Sequence, residues 1–212
     1  MFITTRAAKA ALAFWVAGLA AAAPAAAAEE GEVVGSTQKL QPTAEARLGT
    51  EHRVLAVGDA VRCDEQLWTG ARGRLQVGLT DGSVINLGEN ARIMLDDFVL
   101  PRDGAGSLIL KSASGALRFV GGAIDAAKPG AVKIVTPVAT MVLRGTEVFA
   151  GPIDGAYGVF VFHGKVDVAT SAGSVTLIDG EGTSVTKSSA APGPVKRWPA
   201  AKIARAEQLV GY

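Results

Sequence analysis

The sequence has 212 residues, of which 49% are hydrophobic and 6% aromatic, with 21 basic and 20 acidic side chains giving a net charge of +1. This near balance, with basic residues scattered singly among acids, argues against a nucleic-acid partner. Cys63 is the only cysteine, so no disulfide can form within the chain and a hydrophobic core must hold the fold.

Residues 1–28 have the three zones of a secretory signal peptide. Arg6 and Lys9 form the basic zone, an apolar run covers 10–23, and small residues end at Ala28, where we expect cleavage. The apolar run is shorter than the ~20 residues that cross a bilayer, so an uncleaved anchor helix is the weaker alternative. Cleavage removes two basic residues and no acidic one, which leaves a net charge of −1. We therefore expect a periplasmic protein with no transmembrane segment in the mature chain.

Residues 29–53 are polar and weakly patterned, and we interpret them as an extended N-terminal arm. From 54 to 186, short β-branched and aliphatic runs are separated by glycines or Asp-Gly pairs, which predicts one all-β domain. A parallel α/β sheet is excluded because its crossovers need helices. A twisted β-solenoid and a β-sandwich-like domain of short strands both fit this pattern, and periodicity does not decide between them.

Two hairpins are predicted within this domain. The alternating run 75–79 turns through Asp81-Gly82 into the run 84–87, because Asp-Gly readily adopts the positive φ values of a tight connection. The run 159–168 is interpreted as a second hairpin with His163-Gly164 at its tip.

Residues 187–212 are predicted to be a linker rich in Pro, Gly and Ser, followed by one short C-terminal helix. Pro199 opens the segment 200–209, in which apolar residues recur at helical spacing. We expect Trp198 to pack near the start of this helix, and the helix to dock on its own domain.

The sequence contains none of the motifs that mark a serine-hydrolase nucleophile, a zinc protease, a phosphate loop or a dinucleotide fold. His52 and His163 are far in sequence from plausible partners and are interpreted as exposed polar residues. Cys63 has no adjacent histidine or basic cluster that would activate a thiolate, and we expect it to be a small buried hydrophobe. We therefore predict no enzyme activity, no metal site and no cofactor.

Three pairs of neighbouring acids remain: Glu29-Glu30, Asp64-Glu65 and Asp96-Asp97. Adjacent residues on a strand point to opposite faces, so a working carboxylate pair would need residues from different strands. We interpret all three pairs as solvated acids at turns.

Four short motifs follow one another along the chain: Thr69-Gly70, Asp81-Gly82-Ser83, Thr136-Pro137 and Arg144-Gly145-Thr146. Together with the runs around them, they resemble the FecR-like periplasmic domain family over about 54–185. The pairing of Thr-Pro with Arg-Gly-Thr is the most specific part of the resemblance. The motif residues are Thr69, Asp81, Gly82, Ser83, Thr136, Pro137, Arg144, Gly145 and Thr146.

The resemblance implies a non-enzymatic β domain used for sensing or protein contact in the periplasm. In the best-known members this domain receives a signal from an outer-membrane transporter and relays it through one membrane helix to a cytoplasmic segment that controls a sigma factor. Only residues 1–9 precede the apolar run, so we expect no cytoplasmic anti-sigma segment ahead of it. We therefore expect a stand-alone exported member, with an envelope protein as its partner.

Arg144 is the candidate ligand-binding residue. Its guanidinium can either tie down carbonyls inside a β-corner or face a ligand that carries a carboxylate. Gly145 is expected to allow the corner itself, and Pro137 suits a strand edge or bend. The function predicted is a periplasmic sensor or interaction domain, which could recognise its partner through a strand edge. The alternative is a structural or polysaccharide-binding module of the cell envelope.

Overall fold

The structure is a computed structural model that describes residues 31–101 and 106–212. The predicted signal peptide and Glu29-Glu30 lie outside these ranges. The described residues form strands Val33–Gln41 (β1), Ala44–Leu48 (β2), Glu51–Val54 (β3), Ala60–Arg62 (β4), Gln66–Thr69 (β5), Arg74–Leu79 (β6), Val84–Leu87 (β7), Arg92–Val99 (β8), Ser107–Ser114 (β9), Leu117–Val120 (β10), Val132–Val135 (β11), Thr140–Ile153 (β12), Ala156–Thr170 (β13), Gly173–Ile178 (β14), Glu181–Val185 (β15) and Lys196–Arg197 (β16), and helices Ala123–Ala127 (α1) and Ala200–Val210 (α2).

One continuous sheet folds over to give two facing parts. The front sheet has the order β3-β2-β5-β8-β9-β11, followed by the first part of β12, the second part of β13, and β14. The back sheet has the order β4-β1-β6-β7-β10, followed by the second part of β12, the first part of β13, and then β15 and β16. All pairs are antiparallel except β9 with β11, which is parallel.

The inward side chains of the two sheets form one hydrophobic cluster. Leu67 and Leu95 enter it from the front sheet, while Ile85 and Phe119 enter it from the back sheet. Strands β4 to β11 alternate between the front and back sheets along the chain. The core therefore contains segments that are distant in sequence. The all-β prediction is confirmed: the described strands form one sheet that curls like a half-barrel, with one short C-terminal helix.

The β12–β13 hairpin connects the two sheets. Its register shifts between Arg144 and Val148, where the pair of strands passes from front to back. Gly145 has a φ of +64° and Gly164, opposite it, has a φ of +89°, both in the region that glycine reaches with least strain. The bend therefore depends on one glycine from each strand.

Two segments differ from the sequence-based expectation. The polar segment expected to be an extended arm forms β1, β2 and β3, and β1 lies inside the back sheet between β4 and β6. The predicted hairpin tip at His163-Gly164 is wrong, because β13 runs unbroken from Ala156 to Thr170. Gly164 makes a bend within β13, and β13 pairs with β12 on both sides of that bend.

The predicted C-terminal helix is confirmed, and it packs on the outer face of the back sheet. Ala206 and Val210 of α2 form a second apolar cluster with Phe149, Phe160 and Trp198. Arg74 of β6 donates to carbonyl oxygens at the end of α2, where a cation stabilises the helix dipole. Within 31–101 and 106–212, no helix is both long and apolar enough to cross a bilayer.

Candidate functional site

The turn between β6 and β7 supports the start of the short helix α1. The Asp81 carboxylate accepts hydrogen bonds from the N–H and the hydroxyl of Ser83, at 2.9 and 2.8 Å. The Asp81 carbonyl accepts one from the N–H of Ala123 (2.8 Å), and the Ser83 hydroxyl accepts one from the N–H of Gly122 (2.9 Å). Because α1 has no side-chain cap of its own, this turn supplies acceptors that the first N–H groups need.

A second contact to α1 comes from Thr146, just after the bend in β12. The Thr146 N–H donates to the carboxylate of Asp125 in α1 at 2.7 Å. The Thr146 hydroxyl accepts from the N–H of Arg144 (2.7 Å) and donates to the carbonyl of Lys165 (3.1 Å). One side chain therefore joins β12 to β13 at the bend while its backbone holds the helix.

We call Asp81, Ser83, Gly122, Asp125 and Thr146 the α1 cluster. Its side chains are inaccessible: Ser83 is 0%, Asp125 1% and Thr146 4% exposed. A Cβ on Gly122 would overlap the backbone of Asp81 and Ser83, so the approach of α1 to the turn leaves no room for a side chain. The cluster therefore holds α1 against the sheet and offers no surface to a ligand.

Thr146→Val is expected to lower the free energy of unfolding by about 1–2 kcal/mol, because the Arg144 N–H and the Lys165 carbonyl lose their partner. Denaturant midpoints measure this change. Thr176→Val is the matched control, since the Thr176 hydroxyl donates to Asp167 at an exposed position. That control should stay within about 0.5 kcal/mol of the native chain. Equal losses in the two variants would contradict a structural role for the Thr146 hydroxyl.

Two of the remaining motif residues, Thr69 and Thr136, also hydrogen-bond to backbone groups. The Thr69 hydroxyl donates to the carbonyl of Gly88 (2.6 Å) and accepts from the N–H of Ala91 (3.0 Å). Thr136 closes the turn between β11 and β12, where its hydroxyl donates to the carbonyl of Ala139 (2.8 Å). Pro137 occupies the same turn and is exposed. The motif residues thus support separate turns and the bend, and within the described residues they do not form one open site.

Arg144 lies at the bend with its side chain 45% exposed. Its guanidinium donates to the Asp167 carboxylate across the β12–β13 pair at 2.6 Å. Asp167 also accepts from Thr176 on β14 (2.6 Å), so these three side chains link the last three strands of the front sheet. Arg144 is therefore an exposed ion-pair residue, accessible to a partner, and it does not bind buried carbonyls.

The histidines and the cysteine occupy separate places. His52 bonds to Glu45 at 2.6 Å and stacks on Trp68, whereas His163 is exposed next to Asp179. Cys63 is buried as expected, and burial raises the pKa of its thiol. Among the described residues, no group of three His, Cys, Asp or Glu side chains could hold a metal ion.

Both acid pairs within the described residues were interpreted wrongly as solvated acids at turns. Glu65 is 1% exposed, and its carboxylate accepts from both the Nε and the Nη2 of Arg53, at 3.2 and 2.8 Å. The N–H of Arg62 donates to the same carboxylate at 3.1 Å. Asp96 and Asp97 lie within strand β8 rather than at a turn, and these part-buried acids contact Lys111 and Ser107. Glu65 is therefore a structural anchor between β3 and the turn before β5.

Residues 65–167 match the sequence model of the family described as FecR protein. This stretch is a FecR domain. It contains all nine motif residues, and the α1 cluster, the two threonine-supported turns and the bend lie within it. No curated protein matches the chain.

The chain also shares its fold with solved structures. Two crystal structures, at 2.50 and 1.65 Å resolution, are of a protein from Parabacteroides distasonis provisionally assigned as an anti-sigma factor. Each aligns with a TM-score of 0.52 and 19% sequence identity over 66% of this chain. The aligned region spans 62% of the length of those chains. The likeness supports the fold alone.

Proposed function

We propose that this chain is a non-catalytic sensor and interaction domain of the bacterial periplasm, which binds another envelope protein in FecR-type regulation. The FecR match over 65–167 is the observation that carries the proposal. The family is regulatory, and its motif residues in this chain are used in turns and in the bend. Recognition would then fall to the exposed surface rather than to a catalytic centre.

The front sheet offers the surface most suited to a protein partner. Among the described elements, α2 packs on the back sheet and none packs on the outer face of the front sheet. The two end strands of the front sheet, β3 and β14, each pair with one neighbour only. Ile178 on β14 is 48% exposed. An open strand edge with an exposed apolar side chain can pair with an extended segment of another protein.

Site-specific photocrosslinking in the cells that produce the protein tests this proposal. A benzophenone residue replacing Thr176 on β14 should form an adduct with a particular envelope protein. The same residue replacing Gln208 on the exposed side of α2 serves as the control position. Adducts of equal yield from both positions would contradict a specific partner on the front sheet, as would the absence of any adduct.

Arg144→Ala is expected to change the free energy of unfolding by less than about 1 kcal/mol, because exposed ion pairs contribute little. We expect partner capture to fall nonetheless, since Arg144 presents an exposed charge on the front sheet, two strands from its end strand β14. Asp167→Ala removes the same ion pair from the other side and is the matched control. If Arg144→Ala lowers stability and capture together, Arg144 is a structural residue only.

Export is the remaining part of the proposal, supported by the zones of residues 1–28 and by the envelope-side role of the family. The intact mass of the protein in a periplasmic fraction should correspond to a chain that begins at or near Glu29. A mass that still includes residues 1–28 would contradict cleavage and restore a membrane-anchored form.

A second candidate function is binding of an anionic envelope polysaccharide. A pocket of about 300 Å³ at the junction of β15, β16 and α2 is lined by Lys196, Arg197, Trp198 and Lys202. Co-sedimentation with purified acidic polysaccharide, lost in Lys196→Glu, would favour this function over a protein partner. Retained co-sedimentation in that variant would exclude this pocket as the binding site.

A further inference from the structure

A groove of about 280 Å³ opens on the outer face of the front sheet, beside the last residues of β9. Its walls include Met94, Val135 and Pro137, and its floor includes the buried residues Ile93 and Ser112. The walls are therefore mainly apolar, although the groove lies on an exposed face of the sheet.

The groove continues the line of a strand that ends early. β11 pairs with β9 only up to Val135, which lies opposite Lys111. The chain then turns away through Thr136 and Pro137, whereas β9 continues to Ser114. Among the described strands, none pairs with the 112–114 part of β9 on the β11 side. This part of β9 thus has an open edge on which another extended segment can add.

A buried hydroxyl lies behind the groove floor. The Tyr157 Oη has no hydrogen-bond partner among the described residues. Burial raises the pKa of this phenol, and the hydroxyl groups of Thr136 and Ser112 weakly oppose that rise. Ser112 alternates with the exposed Lys111 and Ala113 along β9, so its side chain points toward the core and Tyr157 rather than into the groove.

The rim of the groove carries positive charge. Arg92 is exposed, lies over the Trp68 ring at 5.8 Å and forms no ion pair among the described residues. Lys111 is also exposed, but it is paired with Asp96. Arg92 is therefore the free cation at the rim, and a carboxylate is the group that a fixed guanidinium recognises best.

We propose that this groove binds an extended segment of the partner protein, which adds beside residues 112–114 and places an apolar side chain between Met94, Val135 and Pro137 and a carboxylate on Arg92. This inference rests on the proposed function and names the chemistry of the partner. The apolar walls bind the side chain, the open edge of β9 binds the backbone, and Arg92 selects an acidic residue next to the anchor.

A benzophenone residue in place of Gln66, which is exposed on the groove lining, tests the proposal in the full chain. The adduct should be found on a partner peptide that carries Asp or Glu next to an apolar residue. An adduct from the Thr176 position but none from the Gln66 position would overturn the groove while leaving the proposed function intact. No adduct from either position would overturn both.

Three substitutions in the Gln66 photocrosslinking chain define the chemistry. Arg92→Glu should reduce the adduct at least about tenfold, and Arg92→Lys should restore part of it. Ala113→Trp, which fills the groove from an exposed lining position, should reduce it by a similar factor. Lys187→Glu makes the same charge change at an exposed linker site and should leave the yield unchanged. Equal yields in Arg92→Glu and Lys187→Glu, or an adduct on a segment without an acid, would overturn the proposal.

Discussion

Arg53→Ala is expected to lower the free energy of unfolding by about 3–5 kcal/mol, the usual cost of leaving one member of a buried ion pair without its partner. Glu65 is 1% exposed and accepts both the Nε and the Nη2 of Arg53. Arg53 Nη2 also donates to the carbonyl of Ala60 at 2.6 Å. Truncation therefore removes a bidentate cation and a backbone contact together, and chemical denaturation should show a clearly lower midpoint.

Two controls distinguish the cost of an unpaired buried charge from the cost of removing a surface residue. Glu51→Ala removes an exposed partner of Arg62 and should change stability by less than about 1 kcal/mol. The double variant Arg53→Met with Glu65→Leu removes both charges and should recover most of the loss, because apolar pairs can replace buried ion pairs. A small effect of Arg53→Ala, or no recovery in the double variant, would show that Glu65 is solvated in solution.

Local patterns of the sequence were sufficient to predict many of the strands. Asp81-Gly82 between two alternating runs predicted the β6–β7 hairpin, because turn geometry and side-chain alternation act over a few residues. The C-terminal helix was predicted for the same reason, from an opening proline and apolar spacing. Such signals do not depend on distant partners.

The N-terminal strands could not be predicted in the same way. Gln38, Lys39 and Gln41 are exposed, which gives β1 a polar sequence, although Val34, Gly35 and Thr37 are buried. Its place between β4 and β6 depends on partners far along the chain. Arg53 and Glu65 were missed for a related reason: each looks like an ordinary surface charge until the fold brings them together.

His163-Gly164 shows how a bend inside a strand imitates a hairpin tip. A polar residue followed by glycine between two apolar runs is typical of a tight turn. Here the partner strand β12 also bends at Gly145, so both strands continue and the pair is preserved. Only the pairing of the two glycines distinguishes this arrangement from a turn, and that pairing is not local.

The candidate site was predicted in part. The sequence indicated which residues carry the family motifs, but not that Asp81, Ser83 and Thr146 converge on α1. Asp125, which accepts the Thr146 N–H, was not singled out at all. Its only local signal is an acid shortly after Gly121-Gly122. The groove beside β9 likewise exists because β11 ends before β9 does. The sequence of neither strand alone indicates where the two end relative to each other.

Gly164→Ala is expected to destabilise the domain by about 3 kcal/mol or more, since two costs add at this position. The φ of +89° places an alanine in the left-handed region, which costs ~1–2 kcal/mol. A Cβ would also overlap the carbonyl of Gly145 on the facing strand and lie 3.0 Å from that of Arg144, and such overpacking costs a further ~1–3 kcal/mol.

Gly145→Ala separates these two costs, because its φ is +64° but a Cβ there meets no atom within 4 Å. We therefore expect Gly145→Ala to cost only the ~1–2 kcal/mol of the left-handed conformation. Thermal or denaturant unfolding of the two variants gives the comparison directly. A Gly164→Ala loss no larger than that of Gly145→Ala would mean that the strands separate at the bend without cost, so that the hairpin joins the two sheets through a flexible hinge. A larger loss is the result expected of a fixed corner, in which the backbones of β12 and β13 are held in contact on both sides of the bend.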